Sequence, residues 1–265
     1  MNPVEGEILY IDKPYRWTSF DVVNKVRWLL CKRLGMKKLK VGHAGTLDPL
    51  ATGVMIVCTG RATKRIDELQ AHTKEYVATL RLGATTPSFD LEQPIDAYYP
   101  TEHITRELVE EALKHFLGRI EQIPPSYSAV KVDGKRAYDL ARKEKEVELK
   151  PKVLVIDEIE LVDCCLTLAG PVAHESHTII PRTAMRNKAF LTSPAVPEDS
   201  PEGYPSITIR VVCSKGTYIR ALARDIGQAL NSGAHLTALR RTRIGDVRVE
   251  DCITMETVQN QLSTI

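Results

Sequence analysis

The segment GHAGTLDPLATG, residues 42–53, concentrates residue types that can do chemistry in a stretch that does not form a helix. Its carboxylate, Asp48, has an ordinary structural explanation, because Asp-Pro pairs favour turns and Asp side chains accept hydrogen bonds from loop amides. Three glycines, however, let a bulky partner approach the backbone, and His43 can stack or hydrogen-bond. A carboxylate in this setting is a candidate nucleophile or general base if a nearby cation keeps it charged.

Other kinds of catalytic site have little support in the sequence. The histidines of the HESH segment, His174 and His177, have no third ligand nearby, so we expect no metal site. The chain contains neither the G-x-x-x-x-G-K-[ST] pattern that holds phosphates nor the G-x-G-x-x-G pattern that holds dinucleotides. The sequence therefore predicts chemistry by a carboxylate, with no metal and no organic cofactor.

Composition describes an ordinary globular protein of 265 residues, with 43% apolar residues, 26% charged residues and a formal net charge of +2. Basic residues cluster in residues 32–40 and 240–248, either as solvated faces or as phosphate-binding surfaces. Six cysteines without C-x-x-C spacing favour reduced thiols over a disulfide framework. Because we find neither a signal peptide nor an apolar run long enough to span a bilayer, we expect a cytoplasmic protein.

The elements that must position Asp48 follow from the spacing of apolar residues. A helix is predicted from Thr18 or Ser19 to Gly35, and the apolar run that follows residue 53 is predicted to be a buried strand. Further strands are predicted over 75–82, 151–162 and 206–214, and further helices over 105–117 and from about Arg220 onward. The proline-rich segment 164–205 has no sustained period and is predicted to be an insertion loop.

Five blocks of the sequence resemble the TruB family of tRNA pseudouridine synthases, in the order that the family shows. In chain order, the blocks are DKPYRWTSFDVV, GHAGTLDPLATGVMIVCTGRATK, KEYVATLRLG, PPSYSAVKVDGKRAYDLAR, and CSKGTYIRALARDIG followed by LRRTRIG. They lie within residues 8–163 and 206–254. The resemblance implies the pseudouridine-synthase fold, an α/β (α+β) domain over residues 1–265 with a mixed central sheet flanked by helices.

The resemblance also implies roles for individual residues. Asp48 would be the catalytic carboxylate, Arg220 would pair with it and keep it ionised, and Tyr76 would stack on the target uracil. Five further residues would bind the substrate: His43, which would press into the space left by the flipped nucleotide, Tyr218, Leu239, Lys13 and Lys131.

The implied reaction converts uridine 55 in the T loop of tRNA to pseudouridine, after the nucleotide is flipped out of its stack. The glycosidic bond breaks, the uracil turns within the pocket, and a carbon–carbon bond forms at C5. Asp48 would either attack C1′ of the ribose or remove a proton at C2′, and the sequence favours neither route. The expected partner is the T arm of tRNA, bound by a monomer without a guide RNA, with the basic clusters on the RNA backbone.

Three features depart from the family pattern. Arg16 stands where the family usually has glycine, so we expect a turn that needs positive φ to be made differently. Because the sequence ends about ten residues after the last block, we expect no C-terminal PUA domain, and residues 164–205 look like an insertion. Two other classes of function stay open: a tRNA-binding protein that assists T-arm folding, and a nucleosidase or glycosidase, which would need a second acid such as Asp90.

Overall fold

The computed structural model describes residues 2–128, 131–132, 135–136, 149–166 and 204–263. The strands of these residues are β1 (Ile8–Lys13), β2 (Val41–His43), β3 (Ala51–Thr59), β4 (Lys74–Leu82), β5 (Ala84–Thr85), β6 (Ala97–Tyr98), β7 (Gly118–Gln122), β8 (Lys131–Val132), β9 (Lys135–Arg136), β10 (Lys152–Cys165), β11 (Ser206–Cys213), β12 (Ala234–Ile244), β13 (Val247–Arg248) and β14 (Ile253–Thr254). The α-helices are α1 (Ser19–Leu34), α2 (Ile66–Ala71), α3 (Arg106–Lys114), α4 (Ile219–Ala229) and α5 (Met255–Ser263).

A ten-stranded sheet forms the centre of the fold, in the order β14-β1-β3-β12-β4-β11-β10-β7, with β2 paired to β3 and β13 to β12. The β1–β14 and β3–β12 pairs are parallel, and the other pairs of this sheet are antiparallel. Helices pack against the sheet, so the predicted mixed sheet flanked by helices is confirmed. This order places β12, from the C-terminal part of the chain, between β3 and β4. The loops of the candidate site are attached to these two strands.

Helix α1 begins and ends where the sequence predicts. Thr18 accepts a hydrogen bond from the Asp21 amide, and the Asp21 carboxylate accepts one from the Thr18 amide, which completes a capping box. Gly35 ends the helix in the left-handed conformation, with φ of 63°. The apolar face of α1, together with α5, packs against β1 and β3 through residues such as Val26 and Met55.

A second cluster of apolar residues joins α3 and α4 to the middle of the sheet. Leu222 and Ile226 of α4 pack with Leu80 of β4 and Ile209 of β11. Every residue of β3 is buried, as expected of a strand covered on both faces. The site loops are therefore attached to strands that cannot shift without disturbing the core.

Three predictions about the chain differ from the structure. Arg16 adopts φ of 64°, so the turn keeps its positive φ with an arginine instead of being made differently. The strand predicted over 151–162 continues to Cys165, which moves the first residues of the predicted insertion into β10. The helix predicted over 105–117 ends at Lys114. Residues 167–203, the rest of the predicted insertion, lie outside the described residues.

Within the described ranges, no helix is long and apolar enough to cross a membrane. The same part of the chain contains no group of three or more His, Cys, Asp or Glu side chains placed to hold a metal ion. His174 and His177, the histidines considered as ligands, lie outside the described residues.

Candidate active site

The loop between β2 and β3 carries Asp48 and is fastened to the start of α1. The Ser19 hydroxyl donates a hydrogen bond to the Leu47 carbonyl at 3.0 Å and accepts one from the Leu47 amide at 2.9 Å. The Arg16 amide donates to the Pro49 carbonyl at 2.9 Å. These bonds hold the residues on both sides of Asp48, so the carboxylate projects from a loop of fixed shape.

A buried arginine supports the same loop from within the sheet. Arg241 of β12 is only 1% exposed, and its guanidinium donates to the carbonyls of Val54 at 2.8 Å, Gly45 at 3.2 Å and Thr46 at 3.3 Å. Arg241, one of the basic residues of 240–248, is therefore not part of a solvated or RNA-facing surface. Buried charge is stable only with such partners, so this arginine supports the loop from inside.

The backbone of the same strand also constrains the end of the loop. Gly53 has φ of 105°, and a Cβ atom at this residue would lie 2.1 Å from the carbonyl oxygen of Arg241. The close approach of β3 to β12 at this point therefore requires glycine. Two other members of the basic cluster are paired with acids, Arg240 with Asp12 at 2.8 Å and Arg243 with Glu75 at 3.4 Å, whereas Arg248 is exposed.

Lys13, predicted to bind substrate, is fully buried beside the loop. Its ammonium group donates to the carbonyls of Pro14 at 2.9 Å, Trp17 at 2.5 Å and Pro49 at 3.3 Å. Burial lowers the pKa of Lys13 to about 8, although the negative charge of Asp48 opposes this change. Three carbonyls occupy its three donors, so the described contacts of Lys13 fix the loop backbone.

Arg220, at the start of α4, forms the ion pair with Asp48 that the family resemblance implies. Its Nε lies 2.9 Å from Oδ2 of Asp48, and its Nη2 lies 3.4 Å from Oδ1. The side chain of Arg220 is 6% exposed, whereas that of Asp48 is 34% exposed. The carboxylate is thus held from the protein side and open on the other side.

Two carbonyls and a second carboxylate complete the surroundings of Arg220. Its Nη1 donates to the Ser88 carbonyl at 3.1 Å, its Nη2 donates to the Tyr127 carbonyl at 2.9 Å, and its Nε lies 3.6 Å from Oδ2 of Asp90. Burial lowers the pKa of Arg220, but the charges of Asp48 and Asp90 outweigh this effect and raise it above its ordinary value. The guanidinium is therefore permanently charged and cannot rotate freely.

A turn with unusual backbone geometry presents Asp90 to Arg220. Phe89 has φ of 62°, which is rare for an aromatic residue and is found at strained functional positions. Asp90 is buried, and its Oδ1 accepts hydrogen bonds from the Ser88 hydroxyl at 2.6 Å and the Glu92 amide at 3.0 Å. From the sequence, Asp90 is expected only as the second acid that a nucleosidase or glycosidase would need. The polar residues on either side of Phe89 were a signal for such a turn.

An open cleft of about 270 Å³ lies above this ion pair. Its lining residues come from the Asp48 loop, the Asp90 turn, α4 and β12: Asp48, Leu50, Ala51, Asp90, Arg220, Leu236, Thr237, Ala238 and Leu239. Leu239, predicted to bind the substrate, is one of them. The cleft therefore combines charged groups on one side with apolar side chains on another, as ligand sites commonly do.

The two tyrosines predicted for the site lie at different depths. Tyr76 of β4 is 8% exposed, in the core with Leu47 and Ala51, and burial raises its pKa while the charge of Arg241 opposes the rise. Tyr218 is half-buried immediately before α4, where Gln122 bonds both its amide and its carbonyl. Burial also raises the pKa of Tyr218, so both side chains stay neutral phenols.

His43 and Lys131 are the remaining predicted substrate-binding residues. His43 ends β2 and is half-buried. Burial and the positive charge of Arg241 lower its pKa, so the imidazole is neutral at pH 7. Lys131 belongs to the short strand β8, but its side chain lies outside the described part of the structure.

Comparison with protein families gives two matches that together include most of the chain. The model of the TruB family pseudouridylate synthase N-terminal domain matches residues 32–177. The model of the tRNA pseudouridylate synthase B C-terminal domain matches residues 220–264. The first match alone spans more than half of the sequence and contains Asp48.

Several curated proteins named tRNA pseudouridine synthase B are similar over nearly the whole chain. The protein from Phocaeicola vulgatus is 66% identical over 97% of this chain and 93% of its own length. The protein from Bacteroides thetaiotaomicron is 65% identical over 97% of this chain and 92% of its own. A more distant relative, from Deinococcus radiodurans, is 40% identical over 94% of this chain and 77% of its own.

Among solved structures, a chain of a Cbf5–Nop10–Gar1 complex is 27% identical, with a TM-score of 0.59. The alignment covers 97% of this chain and 54% of that chain, so the present protein spans about half the length of this structural relative. A second structure, of an archaeal box H/ACA Nop10–Cbf5 complex, has a TM-score of 0.58 at 23% identity and supports the fold assignment.

Proposed function

The chain belongs to the TruB family of pseudouridylate synthases, and from this premise we propose that it isomerises uridine 55 in the T loop of tRNA with Asp48 as its catalytic carboxylate. The family and the relatives show that the protein is a tRNA pseudouridine synthase, an isomerase. The observation that best supports the proposed role of Asp48 is its ion pair with Arg220 at the cleft.

The ion pair gives Asp48 the two properties that either chemical route requires. The permanent charge of Arg220 stabilises the carboxylate form, which is the form that attacks C1′ or accepts the proton from C2′. The exposed side of the carboxylate faces the cleft, where a ribose can reach it. Because Ser19, Arg16 and Lys13 hold the loop, little reorganisation is needed when the substrate binds.

The rest of the cleft suits a flipped base. Leu239 and Ala238 provide an apolar wall of the cleft. Tyr76, a neutral aromatic ring, lies in the apolar cluster against which Leu239 packs. Flipping a nucleotide costs a few kcal/mol, which stacking on an aromatic ring offsets in part. We assign this stacking to Tyr76 and the filling of the vacated space to the neutral side chain of His43.

Tritium release from tRNA transcripts labelled at C5 of uridine tests the proposal, because formation of pseudouridine expels the hydrogen at C5. We expect the wild type to release tritium and the Asp48→Asn variant to release none above background. Asp246→Asn, which makes the same substitution at an exposed turn, is the matched control and should retain wild-type release. A transcript with cytidine at position 55 should release no tritium with any of the proteins.

The outcomes separate the proposed reaction from the alternative classes. Purified protein and transcript suffice, since the proposal requires neither guide RNA nor cofactor. Release from the cytidine-55 transcript would contradict the target position, and release by Asp48→Asn would contradict the role of Asp48. If the wild type binds tRNA tightly but releases nothing, the RNA-binding alternative would replace the catalytic one.

A further inference from the structure

The exposed side of α1 combines aromatic and basic residues that the catalytic site does not use. Phe20 is 64% exposed and Trp28 is 55% exposed, both unusually high for large apolar side chains. The ammonium groups of Lys25 and Lys32 each lie 5.2 Å from the centroid of the Trp28 ring. We call these four residues the α1 face.

The Trp28 ring arranges the two lysines as a pair. Lys25 precedes Trp28 by three residues and Lys32 follows it by four, so helical geometry places all three side chains together. Cation–π attraction to the ring holds both ammonium groups 5.2 Å from its centroid. Among the described residues, neither lysine has a hydrogen-bond or ion-pair partner, so both are available to an anion.

The sequence around the α1 face carries charge of one sign. Between Asp21 and Asp48 the chain has seven basic residues and no acidic residue. Asp21 itself is occupied by the capping box with Thr18, at the first turn of the helix. Lys37, Lys38 and Lys40 of the same stretch are exposed, so the positive charge is at the surface.

The α1 face begins beside the catalytic loop. Ser19, next to Phe20, bonds Leu47 directly, and Leu47 precedes Asp48. On one flank of the helix Arg27 donates to the Val41 carbonyl of β2 at 3.2 Å, and β2 leads to His43. An RNA bound with one uridine at Asp48 can therefore continue along α1, which extends about 24 Å at 1.5 Å per residue.

We propose that the α1 face binds the RNA backbone outside the target loop, with Lys25 and Lys32 as a phosphate-binding pair oriented by Trp28. This inference rests on the proposed function, since it takes tRNA as the ligand. Charge complementarity and continuity with the Asp48 loop favour RNA over an apolar partner. Contacts of this kind fix the register of the RNA without reading its sequence.

The test compares three variants with the wild type for binding of full-length tRNA transcript at several salt concentrations. Lys25→Glu/Lys32→Glu reverses the charge of the pair. Trp28→Leu keeps the charge and removes the ring. Lys114→Glu/Lys152→Glu makes the same change in net charge at two exposed lysines of α3 and β10, elements far along the sheet from β1 and β3.

We expect Lys25→Glu/Lys32→Glu to raise the Kd at least about tenfold at moderate salt and to lower the slope of log Kd against log salt by about 1 to 2. Trp28→Leu should raise the Kd about threefold with little change in slope, because the lysines stay but lose their orientation. All variants should keep the wild-type rate of tritium release at saturating RNA and the wild-type melting temperature.

Equal Kd values for Lys25→Glu/Lys32→Glu and the α3–β10 control would overturn the proposal. A wild-type dimer that Trp28→Leu dissociates, with tRNA affinity unchanged, would assign the α1 face to a second copy of the chain and overturn it as well. If the wild type binds tRNA with the expected salt dependence but releases no tritium, the proposed function fails while the RNA-binding surface stands.

Discussion

The guanidinium of Arg220 lies 2.9 Å from the carboxylate of Asp48, although 172 residues separate the two along the chain. Arg220 is bound at the same time by the carbonyls of Ser88 and Tyr127 and lies near the Asp90 carboxylate. One side chain thus ties four loop residues to the start of α4. The geometry of the Asp48 carboxylate depends on the shape of this arginine as well as on its charge.

Arg220→Lys should therefore be nearly inactive. A lysine keeps the positive charge, but its ammonium group cannot bond Asp48 and both carbonyls in the planar arrangement of the guanidinium. We expect the single-turnover rate to fall by about 10² or more, with tRNA affinity nearly unchanged. Quench-flow measurement of tritium release gives the rate, and a thermal melt shows whether the variant is folded. A folded variant within threefold of the wild-type rate would contradict the prediction.

Asp90→Asn should slow the reaction less. The amide oxygen can still accept the hydrogen bond from Ser88, but the negative charge near Arg220 is lost. Arg220 is then held less firmly toward Asp48, and we expect a decrease of roughly tenfold in the saturating rate. The same measurement in Asp96→Asn, an acid of the nearby β5–β6 connection, provides the comparison. A decrease confined to KM would show that Asp90 acts on binding instead.

Arg16→Gly should make the protein more stable. Arg16 has φ of 64°, a conformation that costs a side-chain-bearing residue about 1–2 kcal/mol, and glycine recovers part of this at the expense of a more flexible unfolded chain. We expect the free energy of unfolding to rise by about 1 kcal/mol in urea denaturation. Asn231→Gly, at φ of 50°, should gain less, because asparagine tolerates this conformation better. Equal gains at the two positions would contradict the argument.

The contribution of Lys13 to stability should increase with pH above neutrality. Burial lowers its pKa in the folded protein to about 8, from about 10.5 in the unfolded chain, so between these values the unfolded chain binds more protons. Stability from this group therefore rises as pH passes upward through 8. Relative to Lys13→Met, the wild type should gain about 2 kcal/mol between pH 7.5 and pH 9.5.

Urea denaturation of both proteins at the two pH values checks this prediction. Taking the difference between wild type and variant removes the contribution of other groups that titrate in the same range, such as Lys74, whose pKa is also lowered to about 8 by burial. A difference that does not change with pH would show that Lys13 has the same pKa in both states.

Local features of the fold were predictable because local residues determine them. The Thr18 cap and Gly35 delimit α1, and the apolar run of β3 marks a buried strand. Arg241 was misassigned because a run of basic residues normally indicates a surface, whereas alternate residues of a strand point to opposite faces. Its carbonyl partners in the Asp48 loop are nearly 200 residues away, and no local pattern reveals them.

The catalytic roles depended on family resemblance more than on the residues themselves. Asp48 stands out because of its loop, and the structure places it against Arg220 as the resemblance implies. Asp90 was not recognised as part of this arrangement, because the Phe89 turn that presents it has a positive φ at an aromatic residue. Ser88 and Asp90 favour a turn at this place, but a positive φ at an aromatic residue is too rare to be predicted from the sequence.

The central position of β12 has a consequence for how the protein is made. A ribosome releases β3 and β4 long before residues 234–244, and until then each of these strands has an open edge where β12 belongs. The nascent chain must keep these edges from joining each other or another molecule. Arg220 and Arg241 are also made late, so we expect a truncated product that ends before β12 to have an incomplete sheet and an Asp48 loop without the support of Arg241.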